Sequence, residues 1–372
     1  MPKVNERYRI EKFHSKALEG NPLDSPADRD LKIYLPPGYF ESKDKRYPVV
    51  YFIHGYGGNN RGWTVTSRNA KDGAIPWKIV PKKILERIHM DRLTTFETLD
   101  EQINNGQLEP FIFVQADASL HVPNIDGRKD FRGQLATKGS FYINSPFSGK
   151  YRDYIIQDVI NYIDSNYRTI PDKQHRALMG GSMGGFGTLY LCLYHPDKFV
   201  SAASLSPGNL GTRDLSRLNW KLRIPIYGEI FGEKMNAEIG DSAWKDILDT
   251  IDLIFSDDNR LLPTIKRDEH GNVIEYNEEI LSKWEKFDIN YLIKEKPDAF
   301  KQVHLLLNCA DNDEFGLAEG AKKIHETLME YGIDHQFDLY SDPDVALTPH
   351  ILGIGYHILQ GIHFCTEKFT KN

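Results

Sequence analysis

Short apolar segments recur along the chain and predict strands that are covered on both faces. Each segment is four to seven residues long and contains no charged side chain. Continuous apolar segments of this length are typical of strands in a parallel sheet, where helices pack on each side. The segments lie at residues 48–53, 111–114, 199–205 and, with one histidine, 303–307.

A different pattern near the N-terminus predicts an antiparallel pair of strands. Leu31, Ile33 and Leu35 occupy every second position, which indicates a strand with one buried face. Residues 7–13 are its expected antiparallel partner.

Apolar residues at helical spacing lie between the buried strands. Residues 155–163 show this spacing, and residues 317–329 and 351–364 are also expected helices. Strands alternating with helices predict an α/β fold with a mostly parallel central sheet and helices on both faces. We expect residues 1–372 to form a single domain of this class.

Two regions interrupt the alternation. Residues 118–140 are polar and rich in glycine, and long loops of this kind are often functional. Residues 211–290 are rich in charge and tryptophan, with helical fragments, and residues 268–272 are an expected hairpin turn. Because they begin just after the strand near residue 205 and end before the next strand, we interpret them as a helical insertion in the main domain.

Composition supports a folded chain without a polyanionic partner. Hydrophobic residues make up 40% and aromatic residues 12% of the 372, which a disordered chain would not contain. The net charge is −7, which opposes binding to a nucleic acid. The three cysteines lie far apart without a Cys-x-x-Cys pair, so we expect buried thiols and neither a disulfide framework nor a zinc site.

No segment predicts insertion into a membrane. The first residues contain no apolar core of a signal peptide. Residues 345–366 lack charge but contain proline, glycines and histidines, so they are too polar for a span. The expectation is therefore a cytoplasmic protein.

The chemistry of the chain is indicated first by Gly180, Ser182 and Gly184, which match Gly-x-Ser-x-Gly. A short apolar strand precedes this motif and a helical segment follows it. The glycines leave room for a sharp turn that would expose the Ser182 hydroxyl as a nucleophile. The same turn would point the N–H of Met183 at the oxygen of the attacked group, as one donor of an oxyanion hole.

A nucleophilic serine needs a base and an orienting acid, which in this arrangement follow it in the chain. Asp311 and Asp313 both follow the strand at 303–309, and either could be the acid. His350, at the end of a loop, is the favoured base. His357, in the next helix, is the main alternative, and His363 in the same helix is a weaker one.

A second oxyanion donor is expected in the loop after residues 48–53. Tyr56 N–H is the favoured donor and Gly57 is next, while His54 is expected to order the loop. Gly57 and Gly181 are expected to border the substrate. Trp63 is expected to stack on a phenolic acyl group or a sugar.

These residues together resemble the esterase D family of α/β hydrolases, which includes feruloyl esterases, acetyl esterases and S-formylglutathione hydrolases. The family's acid stands in a Cys-Gly-x-x-Asp frame, which falls here on Cys309 to Asp313 and favours Asp313 over Asp311. Ala310 replaces the usual glycine, and His350 follows a proline where the family has Gly-His. The segments that carry the resemblance are residues 35–39, 47–58 with Trp63, 141–145, 162–168, 180–185 and 308–313.

The resemblance implies an α/β-hydrolase fold and a serine esterase for small acyl or phenolic esters, with no metal and no organic cofactor. Two alternatives stay open: a thioester hydrolase of the S-formylglutathione type, and a binding module without activity. The expected partner is a small-molecule ester. Residues 211–290 are expected either to form a lid over the active site or to contact a second copy of the chain.

Overall fold

A central sheet of eight strands organises the protein. The computed structural model describes residues 4–60, 81–121, 138–209, 223–255, 265–268 and 273–370. The strands of the sheet are β1 (Tyr8–His14), β2 (Asp28–Tyr34), β3 (Val49–Ile53), β4 (Ile112–Ala116), β9 (Arg176–Gly181), β10 (Ser201–Leu205), β13 (His304–Ala310) and β14 (Gln336–Tyr340).

Six further short strands form three antiparallel pairs outside the central sheet. These strands are β5 (Ser119–Leu120) with β6 (Lys138–Gly139), β7 (Asn144–Ser145) with β8 (Gly149–Lys150), and β11 (Ile265–Arg267) with β12 (Val273–Tyr276).

The order of strands in the central sheet is β1-β2-β4-β3-β9-β10-β13-β14. β2 runs antiparallel to β1 and to β4, and the other neighbours are parallel. The carboxyl ends of six adjacent parallel strands therefore meet at one edge, where α/β folds bind their ligands. The predicted parallel sheet and its antiparallel N-terminal pair are confirmed.

The helices follow the strands in the predicted alternation. They are α1 (Val4–Arg7), α2 (Lys82–Leu85), α3 (Phe96–Asn104), α4 (Tyr151–Asp153), α5 (Ile160–Asn166), α6 (Met183–Tyr194), α7 (Pro225–Phe231), α8 (Glu233–Phe255), α9 (Glu278–Glu285), α10 (Ile289–Glu295), α11 (Pro297–Phe300), α12 (Leu317–Glu330) and α13 (Pro349–Glu367). A π-helical segment, Tyr154–Val159, joins α4 to α5, and short 3₁₀ turns lie at Lys16–Leu18, Met90–Arg92, Lys173–His175 and Pro343–Val345.

Two hydrophobic clusters lie on opposite faces of the sheet. In β3, Val49, Tyr51 and Ile53 point into one cluster, and Val50 and Phe52 point into the other. Alternate side chains of a strand point to opposite faces, so an apolar strand is buried by helices on each side.

The prediction that β2 is half-buried is wrong, because its second face is also covered. Lys32 is fully buried, and its ammonium lies 5.1 Å from the ring centroid of Phe96 and 5.7 Å from that of Tyr8. Phe96 begins α3, which packs on this face. From sequence, a lysine between the apolar positions of such a strand is expected to face solvent. Here the aromatic rings cover the Lys32 ammonium and stabilise its charge through cation–π contacts.

The inserted segment packs against the rest of the protein. Ile251 and Ile254 of α8 are buried in the larger hydrophobic cluster. Trp284 of α9 is also buried there, so it is a core residue. β11 and β12 form the expected hairpin, while its turn residues 269–272 and residues 122–137 of the long loop lie outside the described residues.

All three cysteines are buried and unpaired, as predicted. Within the described ranges, no helix is long and apolar enough to cross a membrane.

The close approach of α6 to β3 gives a first prediction. A Cβ at Gly184 would overlap the carbonyl oxygen of Ile53. We expect Gly184→Ala to lower the free energy of unfolding by about 3 kcal/mol, because neither backbone can move aside. Chemical denaturation measures this.

Gly320→Ala is the matched control, since Gly320 also lies in a helix but its new Cβ would be 3.7 Å from Asn209 Cβ, an ordinary contact. This control should leave stability unchanged or raise it by up to about 1 kcal/mol. Equal effects of the two substitutions would contradict the close approach.

Candidate active site

Ser182 lies in a strained turn between β9 and α6. Its φ is +59° and its ψ is −120°, a backbone conformation that residues with a side chain rarely adopt. A Cβ at Gly180 would lie 2.6 Å from the carbonyl oxygens of Ile53 and Gly184. The prediction that the glycines make room for this turn is confirmed.

Backbone hydrogen bonds hold the turn in place. Ser182 N–H donates to the Leu205 carbonyl at 2.9 Å, and Gly208 N–H donates to the Ser182 carbonyl at 3.1 Å. Ser182 itself is half-buried, and Gly181, the last residue of β9, is buried beside Leu205. Because Met183 is the first residue of α6, its N–H has no acceptor within the helix and carries the positive end of the helix dipole.

His350 and Asp313 form a buried hydrogen bond. Nδ1 of His350 lies 2.7 Å from Oδ2 of Asp313, with side chains that are 5% and 0% exposed. Oδ1 of Asp313 accepts the N–H of Phe315 at 3.0 Å, which orients the carboxylate. Asp311 is exposed instead, so of the two candidate acids Asp313 is the one that contacts an imidazole.

The surroundings of His350 set its protonation. Burial alone would lower the pKa of His350, but the charge and hydrogen bond of Asp313 outweigh it, and the charge of Glu314 adds to them. The net effect raises the pKa of His350 above its ordinary value. An imidazole of this kind is a stronger base than a free histidine, and its cationic form is stabilised.

The other two histidines have different partners. His350 is not in a loop as the sequence suggested, but in the first turn of α13. His357, two turns further along, bonds the Gly353 carbonyl through Nδ1 and stacks on Tyr340 with ring centroids 3.9 Å apart, and burial lowers its pKa. Nε2 of His363 lies 3.1 Å from Oε1 of Gln102.

Sheet order brings Ser182 and Asp313 to the same edge. Ser182 follows β9 and Asp313 follows β13, and these strands flank β10. Parallel strands end on the same side, and two strand spacings amount to about 10 Å. A histidine bonded to Asp313 therefore lies at the edge of the sheet that also carries the serine.

Glu314 is a site residue that the sequence reasoning missed. Its carboxylate accepts the Thr348 hydroxyl at 2.5 Å and the His350 N–H at 2.6 Å, so an anion caps the N-terminus of α13 and holds the backbone of His350. Burial raises the pKa of Glu314; the charge of Asp313 adds to this and that of His350 opposes it. Its signal in the sequence is the acidic cluster at 311–314, in which the resemblance points to an aspartate.

The loop after β3 is ordered by His54. Its Nδ1 lies 2.8 Å from the Gly55 carbonyl, and its Nε2 accepts the Ala118 N–H at 3.0 Å. Burial lowers the pKa of His54, which keeps the ring neutral as these two bonds require. Gly57 then has a φ of +68°, which favours glycine. Trp63 lies outside the described residues.

Metal ligands are not clustered in the part of the chain that the structure describes: no group of three or more His, Cys, Asp or Glu side chains could hold an ion there.

Titration of His350 tests the geometry of the buried pair. Its pKa, followed through ring signals in NMR, should lie above the ordinary value of about 6.5. Asp313→Asn should lower it by about one unit or more, because burial remains while the main charge is lost. Glu314→Gln should lower it by less, and an unchanged pKa in Asp313→Asn would contradict the described contact.

Comparisons with known proteins agree with this architecture. An endo-1,4-β-xylanase/feruloyl esterase of Xylanibacter ruminicola is 30% identical over 179 residues, which are 47% of this chain and 19% of that protein. The chain thus matches only about a fifth of the length of this relative. A solved ferulic acid esterase superposes with a TM-score of 0.58 at 19% identity, covering 98% of each chain, which shows a shared fold.

A second solved structure, the S-formylglutathione hydrolase FrmB of Staphylococcus aureus, gives a TM-score of 0.47 at 15% identity over 95% of this chain and 98% of its own. A sequence profile of the family described as "Putative esterase" matches residues 25–341, most of the chain. The α/β-hydrolase fold and the resemblance to an esterase family are confirmed, and the chain belongs to this Esterase family.

Proposed function

We propose that Ser182, His350 and Asp313 form a catalytic triad that hydrolyses carboxylic esters through an acyl-enzyme. The observation that carries this proposal is the buried bond between His350 and Asp313, at the sheet edge that presents the strained Ser182. A strained nucleophile and an oriented base at one edge are the two parts that acyl transfer needs.

Acylation begins with attack of the Ser182 hydroxyl oxygen on the ester carbonyl carbon. The Oγ–C bond forms while the hydroxyl proton passes to Nε2 of His350. The carbonyl oxygen becomes an oxyanion, which the N–H groups of Met183 and Tyr56 would bind. The tetrahedral intermediate then breaks its bond to the alcohol oxygen, and His350 returns the proton to this leaving group.

Deacylation repeats these steps with water. The water oxygen attacks the acyl carbon while His350 takes a proton from the water. The bond between the acyl carbon and Ser182 Oγ then breaks, and His350 returns that proton to Oγ. The carboxylic acid is released and the hydroxyl is restored. Throughout, Asp313 keeps the Nδ1 proton of His350 in place and stabilises the imidazolium, consistent with the raised pKa of this histidine.

The substrate is proposed to be a small acyl or phenolic ester. The feruloyl esterase portion in the name of the Xylanibacter ruminicola relative supports the phenolic acyl class. Gly57, Gly181 and Trp63 are proposed to border this group. A thioester of the S-formylglutathione type is the alternative substrate, since the same triad cleaves it. The cytoplasmic location of the protein stays a prediction.

Kinetics of p-nitrophenyl acetate hydrolysis test the triad. Ser182→Ala and His350→Ala should each lower kcat by about 10⁴ or more, because the nucleophile and base act as a unit. Asp313→Asn should lower it by about 10³ to 10⁴ through loss of the correct tautomer. His357→Ala, a change in the same helix as His350, is the control and should stay within about threefold of the wild type.

Two results would contradict the assignment. Loss of activity in His357→Ala but not in His350→Ala would move the base to His357. A wild type that is inert both to this ester and to a serine-directed fluorophosphonate would favour a binding module. A panel of acetyl, feruloyl and thioester substrates then separates the ester from the thioester class.

A further inference from the structure

The side chain of Tyr56 joins the loop after β3 to the inserted segment. Its hydroxyl lies 2.6 Å from Oδ2 of Asp246 and 2.8 Å from Oγ1 of Thr250. Asp246 and Thr250 are four residues apart in α8, so they share one face of that helix. The ring of Tyr56 also packs against Phe141, with centroids 5.9 Å apart.

Asp246 holds a second element at the same time. Its Oδ1 forms an ion pair with the Nζ of Lys138 in β6, whose side chain is only 11% exposed. One carboxylate of the insertion therefore binds both the Tyr56 hydroxyl and the Lys138 ammonium. A buried ammonium needs such a partner, which makes this contact costly to break.

The residue after Lys138, Gly139, lies against the side chains of both residues whose N–H groups are the proposed oxyanion donors. A Cβ at Gly139 would overlap the Met183 sulfur and would lie 2.6 Å from Cδ2 of Tyr56. The side chains of Tyr56 and Met183 thus close over the backbone of Gly139. The position of β6, which Asp246 holds through Lys138, limits where both donor residues can lie.

These contacts constrain the Tyr56 side chain far more than its role as a backbone donor requires. Burial raises the pKa of Tyr56, and the charge of Asp246 adds to it, so the hydroxyl stays protonated and donates to the carboxylate. Hydrogen bonds to an ionised acceptor are about twice as strong as neutral ones. The inserted segment therefore holds the loop after β3 through a strong hydrogen bond to the Tyr56 hydroxyl.

We propose that Asp246 of the inserted helix α8 is a positioning residue that sets the geometry of the oxyanion hole, by holding Tyr56 directly and Gly139 through Lys138. This inference rests on the proposed function, since it assigns the Tyr56 and Met183 N–H groups to the oxyanion. It gives the insertion a role in catalysis that neither a mobile lid nor a contact between two copies would have.

The inference predicts that loss of the Asp246 contact lowers kcat and leaves KM nearly unchanged. An oxyanion hole binds the transition state and not the ground-state ester, so displaced donors slow the chemical step and leave KM nearly unchanged. Loss of a lid contact would act mainly on KM. The two roles are thereby distinguished by one kinetic comparison.

Tyr56→Phe is the variant of choice, because it keeps the backbone N–H, the ring packing and the pair between Asp246 and Lys138. We expect it to lower kcat about 10- to 100-fold, as misplacement of a catalytic group does, with KM within about threefold. Asp246→Asn should act in the same direction. The double variant should be no slower than the slower single variant, because both changes break one connection.

Rates are expressed per active site titrated with a fluorophosphonate, so a misfolded fraction does not count as a slow enzyme. Affinity for an alkyl trifluoromethyl ketone, whose adduct carries the oxyanion, should fall by the same factor as kcat. Tyr162→Phe is the matched control, since its hydroxyl also donates to a carboxylate, Glu11 at 2.8 Å, away from the proposed site. It should match the wild type in kcat and in ketone affinity.

Wild-type kcat per titrated site in Tyr56→Phe would overturn the inference and leave the proposed function intact. The same holds if KM rises while kcat and ketone affinity stay unchanged. A wild type that is not labelled at Ser182 would overturn the proposed function, and this inference with it.

Discussion

The close contact between α6 and β3 is the constraint on which the site depends. Helix and strand approach until a Cβ at Gly184 would overlap the Ile53 carbonyl oxygen, and Ser182, in the turn that leads into α6, has a φ of +59°. Strain of this kind persists only where the surrounding structure imposes it, here through the backbone hydrogen bonds of the turn. The result is a hydroxyl held at the carboxyl edge of the sheet by the backbone itself.

A different element, α13, places the proposed base His350 at that edge. His350 lies in the first turn of α13, where Glu314 accepts its N–H and Asp313 binds its ring. The two adjacent carboxylates thus have different roles. Glu314 holds the backbone of His350, and Asp313 holds its imidazole. Both charges favour the imidazolium, which overcomes the opposing effect of burial on the pKa of His350.

Local patterns predicted the strands, the glycine-lined turn and the order of the candidate residues, because apolar periodicity and Gly-x-Ser-x-Gly are features of adjacent residues. Contacts between distant elements were less accessible. The alternation in β2 predicts one buried face, but aromatic rings also cover Lys32 on the other face. The pairing of Asp246 with Tyr56 joins residues 190 positions apart, and no local pattern encodes it.

Detection of the acyl-enzyme tests the central claim most directly. The wild type would be mixed with a slowly hydrolysed aryl ester, quenched in acid and digested, and the peptides analysed by mass spectrometry. The account predicts one acyl group on the peptide that contains Ser182, and none when Ser182 is alanine. Ester consumption with an acyl group on another residue, or with no covalent adduct under conditions where deacylation limits the rate, would contradict it.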